Sequence, residues 1–525
     1  MQARVRQKGR REIQSGEVDG LFAFLTVVFG LFVRLFPVLR TDFPLVDGGM
    51  FYTMIHDLQA AGYRLPVFTS YNLQRIPFAY PPFALYFTGA LNSLTHIPLL
   101  TLIRWQPVLV NALTVAVFFL FARRFTQSST KAWLATLIFA LTPNAYWWQI
   151  VGGGLTRSFG GLFAFLFAYF AYRVFHDRDD GAFALVGAIL NGSLVVLSHL
   201  EWALQAAFAG LLFFLLWGRS RRGIRNAALV ALAVLALTAF WWVTLVQRFG
   251  FQIFYTASTA TDSRLLFFLP LFSLQYTGEY TAFIAVFALI GAFVALARKD
   301  YFPLLWGIGC LLVDPRGGEL FALLPLTFLA LLPITDLLAP YLLKLGGREG
   351  HAWWEFLDLP LGKLFVAVFA ILCLSHAYDM SATIAVQHLS SDERTAMQWV
   401  QANTSSSEQF LVLGWESNPT HSSLDEWFPA LAQRRSLTTV QGQEWLGDYH
   451  AALSVFAQYQ ACFTQDLACV QTVEQKHGVD ASCILLSFEK SGQTPALNPL
   501  AVALGQSSLF EQVYASASVR VYCHR

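Results

Sequence analysis

Roughly eleven apolar stretches, each near the ~20 residues that cross a bilayer as a helix, occupy most of the first 380 residues. They fall near 21–38, 104–122, 132–150, 157–175, 183–199, 202–218, 226–246, 280–297, 301–313, 319–339 and 363–380. In hydrocarbon a backbone must satisfy its own hydrogen bonds, so such runs are helices. The pattern predicts an α-helical polytopic membrane protein. Only 13% of residues are charged and 56% are hydrophobic, against about a quarter charged in soluble domains. With net charge +2 and no basic block, nucleic acid is not an expected partner.

Loop charge sets the expected orientation. Arg4 to Arg11, Arg123 to Lys131, Arg173 to Arg178, Arg219 to Arg225, Arg298 with Lys299, and Lys344 with Arg348 all alternate to one face. The N-terminus is therefore expected in the cytoplasm, in the plasma (inner) membrane, with everything after Tyr378 outside. The basic N-terminal run also suits a signal peptide. A retained span is favoured, because no small-residue cleavage site follows it. Up to Lys363 the outer cations are all arginines, including Arg34, Arg40, Arg64, Arg75, Arg104, Arg157 and Arg316. Guanidinium suits bidentate phosphate recognition, although arginine also snorkels well at interfaces.

The first outer loop carries the sharpest signal. After the first span it reads Arg40-Thr-Asp-Phe-Pro-Leu-Val-Asp47-Gly-Gly-Met-Phe-Tyr52. A carboxylate at the end of a membrane span is a functional candidate by default, and Gly48 and Gly49 free the adjacent backbone for a tight turn. Met50, Met54 and Leu58 share one stripe of a short amphipathic helix, with Asp57 off it. Tyr80-Pro81-Pro82 then leads toward the next span. The second outer loop, Thr142 to Gly161, holds Trp147 and Trp148, then Gly152 to Gly154 and Arg157. The glycines suit either anion binding by backbone amides at a helix start or a hinge between packed helices.

Ser198-His199-Leu200-Glu201 sits at the turn of a helical hairpin. His199 and Glu201 would bond each other, position a sugar or contribute to a metal site, though two ligands are a weak metal signal. The stretch from Gln247 to Glu279, with Tyr255, Asp262, Arg264 and Tyr276, has the length of a lid or binding segment. Asp314 and Arg316 would pair, or Arg316 would face the site. No cofactor is assigned, and a divalent metal remains open. There is no phosphate-binding P-loop, dinucleotide fingerprint or nucleophile elbow.

Past Tyr378 the composition shifts, which divides the chain into a transmembrane part, 1–379, and an extracytoplasmic α/β domain, 380–525. An N-cap at Ser390 or Ser391 opens a helix ending near Asn403. Strands are predicted at 410–413, 437–440, 483–488 and 519–523, and helices at 447–461 and 465–477. Outside the cytoplasm disulfides persist, and the expected pairs are Cys462–Cys469 and Cys483–Cys523.

Arg34 late in the first span, Asp47 before an aromatic amphipathic helix, and Tyr80-Pro81-Pro82 resemble the GT-C polyprenyl-phosphate glycosyltransferases. This superfamily includes protein O-mannosyltransferases, aminoarabinose transferases and oligosaccharyltransferases. Glu426-Trp-Phe-Pro-Ala-Leu, Arg435-Ser436 and Thr439-Val-Gln-Gly442-Gln-Glu444-Trp445 look like bacterial members of the same group. The resemblance implies transfer of a sugar from a polyprenyl-phosphate donor to a glycan, lipid or protein acceptor at the outer face. It makes Asp47 the catalytic base and Arg157, Arg316 or Arg34 the donor-phosphate ligands. His199, Glu201, Tyr80 and Tyr52 are the substrate-binding candidates. Several relatives carry an acidic pair in the second outer loop that helps hold a divalent metal, and here that loop has no Asp or Glu. Two rival readings are a lipid or solute transporter, which would place charges near mid-membrane, and a non-enzymatic scaffold.

Overall fold

The computed structural model describes residues 2–177, 181–258, 282–314, 318–492 and 494–525. Asp262, Arg264, Tyr276, Arg178 and Arg316 lie outside these residues. Among the described residues, seven helices are long and apolar enough to cross a membrane: Gly16–Leu39, Leu99–Thr126, Gly154–Phe175, Leu200–Trp217, Arg221–Phe249, Leu320–Leu345 and Pro360–Ala385. Four shorter apolar helices, Ser129–Leu141, Ala182–Val196, Ile284–Ala297 and Phe302–Val313, stand where the third, fifth, eighth and ninth runs were expected. The tenth run reaches its length through a π-helical turn at Pro333–Leu338. The chain is thus a helical polytopic membrane protein with a small sheet-containing C-terminal region.

Aromatic rings and small residues pack the bundle. Phe118 stacks on Phe139 with centroids 4.3 Å apart and lies 5.9 Å from Phe328. Gly160 lets Gly154–Phe175 approach the hairpin, since a Cβ there would lie 2.7 Å from that of His199 and 2.8 Å from the Trp202 ring. Small residues at such contacts let helix backbones pack closely in lipid. Arg34 is fully buried in this bundle. Its guanidinium donates to Asn111 Oδ1 (2.7 Å) and to the carbonyls of Gly30 (2.9 Å) and Ala140 (2.8 Å), with its Cζ 5.1 Å from the centre of the Tyr146 ring. These bonds offset much of the cost of burying the guanidinium, and through them Arg34 ties three helices together.

The helix Ser391–Asn403 begins on Ser390 with a reciprocal capping box: Ser390 Oγ accepts from Glu393 N (3.2 Å), and Glu393 Oε2 accepts from Ser390 N (2.8 Å). A five-stranded sheet follows, in the order Arg435–Ser436, Gln409–Leu413, Cys483–Ser487, Val519–His524, Phe510–Ala515. The first three strands run parallel and the last two pair antiparallel. Alternate side chains serve two cores. Phe410, Val412, Leu485 and Val521 pack with Met397, Trp427 and Phe428, and this core runs on into Met54 and Leu58 of the first loop. Leu411, Leu413, Ile484 and Leu486 pack on Tyr459, Val470 and Leu500.

Helices stand at Tyr449–Cys462 and Leu467–His477, as expected. The strand expected at 437–440 lies instead at Arg435–Ser436, because only two residues there meet the sheet before Thr438 turns its side chain onto the Val412 carbonyl. The strand Phe510–Ala515 and the helices Ser423–Ala432 and Pro499–Gln506 were not anticipated. Cys462 is bonded to Cys469 and Cys483 to Cys523.

Candidate active site

The first loop leaves the membrane helix and is caught at once by the chain that follows the last one. Leu45 bridges His388, and Val46 N donates to the Gln387 carbonyl (2.7 Å). Val46 has φ of 55° and Gly48 of 124°. A β-branched residue at positive φ is strained, and such strain persists only where the surroundings impose it. Asp47 lies between these two reversals.

The glycine triplet receives Asp47. Gly153 N donates to Asp47 Oδ1 (2.6 Å), and Gly152 N donates to the Leu45 carbonyl (2.9 Å). A Cβ on Gly152 would sit 1.8 Å from the Asp47 carbonyl oxygen, and one on Gly153 would sit 2.2 Å from Asp47 Oδ2. The triplet thus admits the backbone of the first loop, and its Gly153 amide is met by the Asp47 carboxylate of the same chain. Arg157, in the first turn of the helix Gly154–Phe175, places Nη2 3.2 Å from Asp47 Oδ2. Its Nη1 donates to the Trp148 carbonyl (2.9 Å), and its Cζ lies 4.8 Å from the centre of the Trp148 ring. The side chains of Asp47 and Arg157 keep 16% and 26% of their exposure, so both are reachable.

The C-terminal region supplies the other wall. Glu426, 2% exposed, reaches across to the first loop. Its Oε2 accepts from Gly49 N (2.8 Å) and its Oε1 from Met50 N (3.0 Å), at the amino end of the helix Gly49–Ala60. That helix has no side-chain cap from its own N-cap residue, Gly48, so a carboxylate 377 positions away satisfies two of its free amides. Burial raises the Glu426 pKa, and the nearby Asp47 charge raises it further. Asp425 beside it is pushed up to about 7, chiefly by burial. Tyr71 donates to the Glu426 carbonyl (2.6 Å), and Asn72 pairs twice with the Ser436 backbone (2.7 and 3.1 Å). His421 sets its ring 5.7 Å from Trp147 and 5.8 Å from Trp148. Burial lowers the His421 pKa, partly countered by the charges of Glu416 and Asp47.

Of the residues singled out in the sequence, Asp47 and Arg157 meet directly. Tyr80 joins the first loop to the C-terminal region, donating to Glu444 Oε1 (2.7 Å) with its ring edge-on to Phe51 and Trp445. Tyr52 lies edge-on to His56 (4.6 Å) and near Trp427 (6.1 Å). His199 is the N-cap of the helix Leu200–Trp217, with Glu201 in its first turn, and packs one turn along from Arg157. Arg34 is held inside the bundle, as described above, rather than at the Asp47 rim. Arg316 lies outside the described residues. Glu426 and His421 escaped the sequence reading as site residues. The available signal was the pair Asp425-Glu426 set directly before Trp427-Phe428-Pro429, since carboxylates are rarely buried without a partner.

The described residues around Asp47 do not suit a divalent cation, which needs several oxygen ligands. Arg157 occupies the cationic position, both Glu426 oxygens are taken by amides, and the second loop has no acidic residue. Among the described residues, the one trio of ligating types close enough to share an ion is Glu408, Cys483 and Cys523, whose two sulfurs are bonded to each other.

No family model matches this sequence, and no curated protein does. Solved structures match over nearly the whole chain. ArnT from Cupriavidus metallidurans bound to undecaprenyl phosphate superposes with a TM-score of 0.58 at 15% identity, covering 95% of this chain and 97% of that one. The Archaeoglobus fulgidus oligosaccharyltransferase AglB, in complex with an inhibitory peptide and a dolichol-phosphate, gives 0.56 at 14% identity, with 98% and 74% covered. The arabinofuranosyltransferase AftD from Mycobacteria gives 0.52 at 15%, with 95% and 40% covered. The fold is that of the GT-C glycosyltransferases. At 95% of the chain, the match to ArnT extends over both the helical bundle and the C-terminal region.

Proposed function

We propose that this chain is a membrane glycosyltransferase that moves a sugar from a polyprenyl-phosphate donor to an acceptor at the outer face of the membrane. The observation that carries this reading is the Asp47–Arg157 pair, 3.2 Å apart at the rim of the bundle. In this reading an acceptor hydroxyl loses its proton to Asp47 while its oxygen bonds to the anomeric carbon. The bond from that carbon to the phosphate oxygen breaks, and the lipid phosphate leaves with the electron pair. Gly153 and Arg157 fix the carboxylate through one contact to each oxygen, which leaves lone pairs for the incoming proton. The guanidinium spends two of its five N–H groups on Asp47 and Trp148, and the others face the charge that builds on the leaving phosphate. The bound lipid phosphates of ArnT and AglB support the same donor class here. The sidedness rests on the loop-charge alternation.

The test is Asp47→Asn in proteoliposomes supplied with a polyprenyl-phosphate sugar. The amide keeps the shape but cannot take a proton. Loss of transfer, with an unchanged melting temperature and undiminished co-purified lipid phosphate, supports the reading. Transfer at the wild-type rate overturns it. Movement of donor across the bilayer without bond cleavage, in both proteins, would establish the transporter in its place.

A further inference from the structure

The C-terminal sheet opens a second recess. The strand Gln409–Leu413 leads to the helix Ser423–Ala432, on the face that packs against the first loop. Its parallel neighbour Cys483–Ser487 leads to Pro499–Gln506, on the opposite face. The two connections diverge, and in open α/β sheets ligands bind in the crevice that forms at the carboxyl ends of such strands. Here that crevice is a cleft of about 340 Å³ lined by Trp415, Glu416, Ser417, Gln460, Thr464 and Ser491, within the range of small-ligand sites.

The lining has a definite chemistry. Trp415 is 53% exposed, an indole the fold leaves uncovered. The cleft offers one carboxylate, three hydroxyls and a carboxamide, with no cation among its lining residues. Neighbouring Lys490 turns away to the His388 carbonyl (2.8 Å). Such a surface disfavours an anionic lipid phosphate. It suits a neutral polyhydroxylated ring, whose C–H face lies on the indole and whose hydroxyls meet the polar groups. Gln460 sets the floor, accepting from Gly414 N (3.2 Å) and donating to Asp425 Oδ2 (3.4 Å).

The loop that forms one wall also leads to the Asp47 site. It starts at Gly414, holds its shape where Glu416 accepts from Asn418 N (3.0 Å), and reaches His421 against Trp147 and Trp148. Seven residues span at most roughly 25 Å, so a short oligosaccharide can lie in the cleft and still present its end near Asp47. We infer that this cleft is the acceptor site and that the acceptor is a neutral saccharide, delivered past His421 to Asp47. The inference rests on the transferase reading and names the substrate that reading leaves open.

The test uses the full-length protein in detergent micelles, labelled and applied to an array of neutral cell-envelope oligosaccharides. Wild type and Asp47→Asn should retain the same glycans. Trp415→Ala should lower retention at least tenfold while its melting temperature and its content of co-purified lipid phosphate stay at wild-type levels. Glu416→Gln should change which glycans are retained. Failure of every neutral oligosaccharide to bind, retention unchanged in Trp415→Ala, or capture of peptides in their place would each overturn the inference. Transfer that survives Asp47→Asn would instead remove the catalytic reading, and glycan retention by that variant separates the two failures.

Discussion

The Glu426 carboxylate lies across the amino end of the helix Gly49–Ala60, with one oxygen 2.8 Å from Gly49 N and the other 3.0 Å from Met50 N. It therefore fixes the turn that aims Asp47. Glutamine can accept only one of these two hydrogen bonds and presents an NH₂ group to the other amide. Glu426→Gln should lower kcat about tenfold, roughly 1.4 kcal/mol in the barrier, with the donor KM little changed. Steady-state kinetics at saturating donor check this, and an unaltered kcat would rule out the positioning role.

Gly153→Ala puts a methyl group 2.2 Å from Asp47 Oδ2, well inside contact distance. The carboxylate must move, and it loses the Gly153 amide as well as its distance to Arg157. Transfer should fall by about two orders of magnitude, the scale of losing a placed general base. Thermal unfolding should remain cooperative, because the change sits at the rim and not in the bundle.

Arg157→Lys keeps the charge but not the fork. A single ammonium cannot hold the Trp148 carbonyl, stack on its ring and meet Asp47 together. Polyprenyl phosphate should bind about tenfold more weakly, ~1.4 kcal/mol, as read by titration of the purified protein. Equal affinity would detach Arg157 from the donor.

Arg34→Leu should behave in the opposite manner. It leaves Asn111 Oδ1 without its donor inside the bundle, at a cost of about 1–3 kcal/mol. The melting temperature and yield should drop, while transfer per folded molecule stays at the wild-type level. A loss of activity without a loss of stability would return Arg34 to the site.

Asp425 supplies a pH signature. Its folded pKa, about 7, lies above the 3.8 of a solvated aspartate. Between these values the folded form holds more protons than the unfolded chain. Stability from this group is complete below about pH 4 and is lost as the pH rises through 7. Glu426 shifts the same way. Melting temperature should decline over that window, and Asp425→Asn should flatten the decline.

Local features were legible in the sequence, and long-range ones were not. Met50, Met54 and Leu58 announce the first-loop helix by their spacing, and Ser390 with Glu393 announces a helix start, because both signals lie within a few turns of one helix. The glycines before Arg157 can be read as anion-binding or as a packing hinge, and the residue they actually meet, Asp47, lies 106 positions away. Glu426 reads as one more surface carboxylate until Gly49 and Met50 are brought to it. The strand Phe510–Ala515 is an edge strand with Glu511 and Gln512 exposed, so it lacks the apolar alternation that marks a buried strand. Arg34 sits at a span end in the sequence, yet its partners Asn111 and Ala140 on two other helices draw it inside.

The clasp between Val46 and Gln387 also bears on the order in which the protein is made. Residue 47 leaves the ribosome hundreds of positions before residues 387 and 426, which hold its loop in place. A nascent chain already inserted through its early helices has an acidic loop with nothing to brace it. The loop gains its bracing only once translation has passed residue 426, and a half-made copy carries Asp47 on a turn that nothing holds.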